Sequence, residues 1–137
     1  MKRLLLAALC CLAPQAAAAT ELEPGEWEFT SVSTSRLLPG PQTARFRRCI
    51  RTEEARNPDK WMAEPSQQGD CKVIPGKKLD DTYTWTMRCP HGNIRGSGSA
   101  RLRRTSMEGE TNMTGELQGQ KFEIRTRVTG QRLGPCK

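Results

Sequence analysis

The chain has 137 residues, a length that corresponds to a single domain. It carries 22 basic and 15 acidic side chains, a formal net charge of +7, and 35% hydrophobic residues. No apolar run reaches the ~20 residues of a membrane-spanning helix, so a transmembrane segment is excluded at the level of sequence. With three Trp, three Phe and one Tyr to build a core, the composition favours a domain stabilised by covalent cross-links.

The start of the chain has the three parts of a secretory signal peptide. Two basic residues precede an apolar run over 4–12, and small residues continue to Ala19. Cleavage is expected after Ala19. This assigns 1–19 to a signal peptide and 20–137 to one exported β domain, which we expect to be periplasmic or secreted.

Alternation of apolar and polar side chains with a period of two predicts antiparallel strands along the exported part. We expect strands over 25–32, 43–50, 83–89 and 121–128, and weaker, glycine-containing strands over 93–105 and 105–113. Turns rich in Gly and Pro separate them. One helical segment is expected over 51–62, with a cap at Thr52 and a second cap at Asn57, where Pro58 takes the first helical position. The predicted fold class is all-β: an antiparallel meander curled into a small barrel or sandwich, with one short helical segment and two disulfides.

Four cysteines remain after cleavage: Cys49, Cys71, Cys89 and Cys136. An even number in an oxidising compartment favours two disulfides, whereas structural zinc ligands usually come in close cysteine pairs. Four cysteines allow three pairings, and the residues themselves do not choose among them. We favour Cys71 with Cys89, at the outer ends of an expected hairpin, and Cys49 with Cys136. No metal and no cofactor are expected.

Three short motifs resemble the bacterial family catalogued as domain of unknown function 3617. The motifs are EPGEWEF after the leader, CIRTEEA in mid-chain and GQRLGPC at the end. The first matches the family's PG-x-W opening at Pro24, Gly25 and Trp27. The second matches its cysteine and threonine before a short helix at Cys49 and Thr52. The third matches its final G-x-x-x-G-x-C at Gly130, Gly134 and Cys136. The resemblance implies an exported, disulfide-bonded β domain and supplies no catalytic residue.

His91 is the only histidine and follows Cys89 in an expected turn. A periplasmic hydrolase built on it would also need a nucleophile and an orienting group, and the sequence contains no G-x-S-x-G motif. We therefore expect a non-enzymatic protein and keep a hydrolase using His91 as the alternative.

Arginines at period-two spacing suggest an anion-binding surface. Arg101 and Arg103 share one strand face, as do Arg125 and Arg127. Because guanidinium groups bind phosphates and carboxylates bidentately, these residues are candidates for contact with an anionic envelope component. The alternative is an ordinary solvated face, and nucleic acid is not an expected partner of an exported protein.

The aromatic side chains either fill the core or line a small pocket, and core filling is the default expectation. The residues concerned are Trp27, Trp61, Tyr83, Trp85 and Phe122. The predicted function is a small non-enzymatic periplasmic binding or envelope-associated module for an anionic envelope component or a small apolar ligand. An accessory protein acting through a protein partner is a further alternative.

Overall fold

A computed structural model describes residues 22–63 and 70–137, so the expected signal peptide lies outside the described residues. The strands are β1 (Gly25–Ser35), β2 (Gln42–Ile50), β3 (Lys72–Pro75), β4 (Thr82–Cys89), β5 (Ile94–Leu102), β6 (Ser106–Leu117) and β7 (Gln120–Gly134). The helices are α1 (Thr52–Arg56) and α2 (Pro58–Ala63), and a 3₁₀ turn spans His91–Asn93. The expected helical segment is thus two short helices, because Pro58 begins a second one directly after Asn57.

The seven strands form one antiparallel sheet in the order β2-β1-β7-β6-β5-β4-β3. Strands β3 to β7 are a meander of consecutive neighbours, and β7 then pairs with β1 instead of ending the sheet. The all-β antiparallel prediction is confirmed. Of the two expected forms, the sheet adopts the curled, sandwich-like one: it does not close into a barrel, and β2 and β3 are its edges.

The core lies on the inner face of the sheet, at the end covered by α1 and α2. Trp27 is fully buried and donates its indole N–H to the carbonyl oxygen of Glu23 at 3.0 Å. Phe29 stacks between Trp27 and Phe46. The buried cluster comprises Leu22, Trp27, Phe29, Ile50, Ala55, Ala100, Leu102 and Met107. Since this cluster is small, burial of apolar surface alone gives the domain limited stability.

Two disulfides supplement this core, as expected. Cys49 at the end of β2 is linked to Cys136 near the C-terminus, and Cys71 before β3 is linked to Cys89 at the end of β4. These are the two favoured pairs. Both bonds join segments that the sheet already brings together, and they indicate an oxidising compartment outside the cytoplasm.

A cluster of polar contacts attaches the helices to the sheet. The Glu54 carboxylate accepts a hydrogen bond from the Arg51 backbone N–H at 2.8 Å and forms an ion pair with Arg48. The Arg48 guanidinium lies 5.2 Å from the ring centroid of Trp61, whose indole N–H donates to the Glu54 carbonyl oxygen at 3.0 Å. The Arg51 backbone N–H holds the pKa of Glu54 below its ordinary value; burial partly offsets this, and Arg48 adds to it.

We expect loss of the Cys49–Cys136 disulfide, which closes the longer loop, to lower the free energy of unfolding more than loss of Cys71–Cys89. The Cys49–Cys136 bond closes a loop with a sequence separation of 87, against 18 for Cys71–Cys89. The chain-entropy model assigns about 4–5 kcal/mol to the first and about 3 kcal/mol to the second. Chemical denaturation of a Cys49→Ala, Cys136→Ala double variant should therefore show a loss of about 4 kcal/mol in the free energy of unfolding. A smaller loss than in the Cys71→Ala, Cys89→Ala variant would contradict this ranking.

Replacing Glu54 with Gln should lower the free energy of unfolding by about 1 kcal/mol at neutral pH, as loss of a helix-capping contact does. The folded-state pKa of Glu54 lies below the ordinary value of 4.5. Its stabilisation is therefore present above that value and is lost as pH falls through the folded-state pKa. The difference in the free energy of unfolding between wild type and Glu54→Gln, measured by chemical denaturation, should therefore shrink as the pH is lowered from neutral to acid. Glu53→Gln, on the exposed side of the same helix, is the matched control; an equal effect there would refute the assignment.

Candidate functional site

A cleft lies between the helices and the β3–β4 hairpin, on the inner side of the sheet. Met62 and Pro58 of α2 form one wall, and Val73, Tyr83 and Trp85 form the other. Its volume is about 290 Å³. We call this space the helix–hairpin cleft. Its lining is mainly apolar, and Tyr83 and Trp85 remain partly exposed within it, in contrast to the fully buried Trp27.

Small residues on the neighbouring strand explain how the two rings fit. Alternation along β4 places Tyr83 and Trp85 on the inner face, directly opposite Ala100 and Gly98 of β5. A Cβ atom at Gly98 would overlap the Trp85 ring, so the ring lies against the glycine backbone. The indole therefore lies along the sheet instead of standing up from it. This arrangement leaves room beneath α2.

Charged side chains surround the mouth of the helix–hairpin cleft. The Lys78 ammonium lies 5.0 Å from the ring centroid of Tyr83, and Arg56 and Asp59 also line the cleft. The loop that carries Lys78 is held by a hydrogen bond from the Gly76 N–H to the Thr84 carbonyl oxygen at 2.7 Å. The rim thus has two cations and one carboxylate, which together make it basic.

The other aromatic residues considered for a pocket have different positions. Trp27 belongs to the core, and Trp61 packs against that core from α2. The half-buried Phe122 of β7 lies over Gly115 of β6, outside the helix–hairpin cleft. Of the five aromatic residues considered, Tyr83 and Trp85 therefore line the cleft and the other three do not.

The four arginines proposed as an anion-binding surface lie on or next to the outer face, but they do not form one basic surface. Strand β6 separates β5 from β7 and places Glu108 opposite Arg101 and Glu110 opposite Arg127. Three of the four arginines, Arg101, Arg125 and Arg127, have a carboxylate within 4.0 Å, and Arg103 lies just beyond the end of β5. The ion-pair distances are 3.5 Å for Arg101–Asp81, 3.0 Å for Arg125–Glu123 and 3.8 Å for Arg127–Glu110.

His91 lies in the 3₁₀ turn after β4, with 91% of its side chain exposed. Its Nδ1 atom is within hydrogen-bonding distance of the Asp70 carboxylate. Neither residue lines the helix–hairpin cleft. Any chemistry that uses His91 would therefore take place on the surface, outside the cleft.

Three cations that do not belong to the predicted set form a row on the outer face. Lys72 of β3 lies directly opposite Arg88 of β4, which lies directly opposite Arg95 of β5. None of these residues has another cation two positions away along its own strand, so the period-two pattern of arginines did not identify them. The register of three strands brings them together, and the pairing of Cys71 with Cys89, which flank Lys72 and Arg88, was the available signal.

Within residues 22–63 and 70–137, no group of three or more His, Cys, Asp or Glu side chains is placed to hold a metal ion. In the same part of the chain, none of the helices is long and apolar enough to cross a membrane.

No curated protein and no solved structure matches the chain. A family model does match it: the one described as Protein of unknown function (DUF3617), over residues 22–136. The match covers both disulfides and all seven strands, and with them the helix–hairpin cleft. The chain therefore belongs to the DUF3617 family.

Proposed function

We propose that this protein is a small, non-enzymatic binding module of the periplasm or the exterior, and that it holds a small apolar ligand in the helix–hairpin cleft. The observation that carries the proposal is the cleft itself, with partly exposed Tyr83 and Trp85 on one wall and Met62 on the other. Its volume of about 290 Å³ is close to the lower end of the ~300–1,000 Å³ usual for small-molecule sites.

Partial exposure of the two rings supports a binding role over a purely structural one. The domain has few large apolar residues, and it fully buries Trp27 and nearly all of Phe29. Two further aromatic side chains nevertheless remain accessible at one place, beside a flexible methionine. Aromatic walls with a thioether are suited to apolar ligands of varied shape.

The charged rim favours an apolar ligand that carries a negative group at one end. Lys78 and Arg56 outnumber Asp59 at the mouth of the cleft, so a carboxylate or sulfonate there would meet net positive charge. The apolar part of such a ligand would lie against Tyr83 and Trp85, and its charged end would remain near water.

Filling the cleft should weaken binding without unfolding the protein. Val73 lines the cleft from edge strand β3, so Val73→Phe places a ring in the ligand's space. We expect it to weaken binding of anilinonaphthalene sulfonate, followed by fluorescence, at least about tenfold, since a site that is sterically filled loses its apolar contacts. Native mass spectrometry of protein purified without reductant should show the matching loss of any co-purified adduct.

The adjacent residue supplies the control. Ile74 is 54% exposed and does not line the cleft, so Ile74→Phe adds the same ring to the same strand on the opposite face. Binding should be unchanged in this variant and in His91→Ala. Equal loss in the two phenylalanine variants, or no binding of the probe by wild type, would refute the proposed site. Loss of binding in His91→Ala would instead favour a site that includes His91.

A further inference from the structure

The row formed by Lys72, Arg88 and Arg95 has an unusual electrostatic setting. In the register of the sheet, the two direct cross-strand pairs of this row are both pairs of like charges. The row lies on the outer face, whereas Val73, next to Lys72 along β3, and Trp85, three residues before Arg88 along β4, face the helix–hairpin cleft. The row is therefore a surface separate from that cleft.

Among the described residues, no carboxylate forms an ion pair with these three cations. Elsewhere on the outer face, arginines have acidic partners, such as Glu28 for Arg47 and Glu110 for Arg127. Across the described parts of the chain, by contrast, none of the three cations in the row has an acidic side chain within 4.0 Å. The row continues to Thr114 of β6 and only then to Glu123, which is paired with Arg125.

A covalent bond joins the two strands that carry Lys72 and Arg88. Lys72 follows Cys71 and Arg88 precedes Cys89, and these two cysteines form the second disulfide. Like charges directly opposite each other destabilise a strand pair. The disulfide joins β3 to β4 next to this like-charge pair and opposes the repulsion there, so Lys72 and Arg88 are held opposite each other before any ligand arrives.

The row also borders an open groove of about 300 Å³, lined by its three cations together with Cys89, Pro90, Asn93 and Ile94. The floor of the groove is mainly apolar, so its charge comes from the three cations. Two strand spacings of about 4.8 Å separate the first cation from the third, so the row spans about 10 Å at the backbone.

From this geometry we propose that the Lys72–Arg88–Arg95 row binds a multiply charged oxyanion, specifically one or two adjacent phosphate groups. Arginine donates two parallel hydrogen bonds to a phosphate, and lysine adds a point charge. A bound phosphate would replace the missing carboxylates and remove the repulsion along the row. This site does not depend on the helix–hairpin cleft, and either can exist without the other. The phosphate can belong to a soluble molecule or to a lipid headgroup.

The test compares Arg88→Gln with Arg101→Gln. Arg101 lies on the outer face of β5, as Arg95 does, but is paired with Asp81, so it is a matched surface control. Inorganic pyrophosphate would be titrated at low ionic strength into the full protein, with backbone amide chemical shifts as the signal. We expect shifts around Lys72, Arg88 and Arg95, and an affinity at least about tenfold lower in Arg88→Gln, because a hydrogen bond between charged groups is lost.

Thermal unfolding provides a second measurement with a distinctive sign. Without pyrophosphate, Arg88→Gln should unfold at the same temperature as wild type or higher, because repulsion with Lys72 and Arg95 is removed. With pyrophosphate, wild type should gain more stability than the variant, since the anion binds the folded state. Arg95→Gln should behave in the same way, which guards against an effect peculiar to one substitution.

Vesicle binding distinguishes the two sources of phosphate. Co-sedimentation would use equimolar phosphatidylglycerol and phosphatidylcholine, with pure phosphatidylcholine as the reference. Binding to the anionic vesicles that Arg88→Gln weakens and Arg101→Gln does not would assign a lipid headgroup. Pyrophosphate binding without such vesicle binding would assign a soluble ligand. The proposal is overturned if neither probe responds to Arg88→Gln, or if Arg101→Gln weakens binding as much.

Discussion

The pairing of β7 with β1 is the contact on which the rest of the domain depends. It joins the last strand to the first, so that β1 and β7 are neighbours inside the sheet and the meander continues into β1 and β2. The Cys49–Cys136 disulfide reinforces that joint from β2, on the far side of β1. Because so much of this pairing is between residues distant in sequence, its entropic cost is large, and a covalent link across it stabilises a chain with a small core.

Once the sheet is joined, strict alternation along the strands separates two surfaces with different chemistry. The inner face takes the aromatic side chains, and glycines on neighbouring strands let rings lie against the backbone, as Gly98 does for Trp85 and Gly115 for Phe122. The short helices cover only one end of that face, and the accessible aromatic wall lies where they meet the hairpin. The outer face carries charged and hydroxyl side chains, whose mutual contacts are set by strand register.

Local patterns explain why so much of the fold could be predicted from the sequence. Period-two alternation identified the strands that carry Trp27, Trp85 and Phe122, and an even number of cysteines indicated two disulfides. Asn57 and Pro58 also indicated a second helical start, and α2 does begin at Pro58. Whether the sheet closes into a barrel depends on packing across it, which the alternation pattern did not resolve. The charged sites were harder to predict from the sequence than the strands were. Arg101 and Arg127 look like part of a basic surface along their own strands, but β6 inserts Glu108 and Glu110 between them. Cross-strand order, which is not a local property, decides which charges are neutralised.

The two disulfides therefore have different relations to the charges around them. Cys49–Cys136 lies near contacts that are already favourable, including the ion pair of Glu54 with Arg48, and it adds to them. Cys71–Cys89 adjoins a like-charge pair and opposes it. Elsewhere on the outer face an arginine has a carboxylate within 4.0 Å, as Arg101 has Asp81 and Arg127 has Glu110. Among the described residues, the three cations of the Lys72–Arg88–Arg95 row have no such partner, which is the arrangement expected where an anion from outside the protein supplies the missing charge.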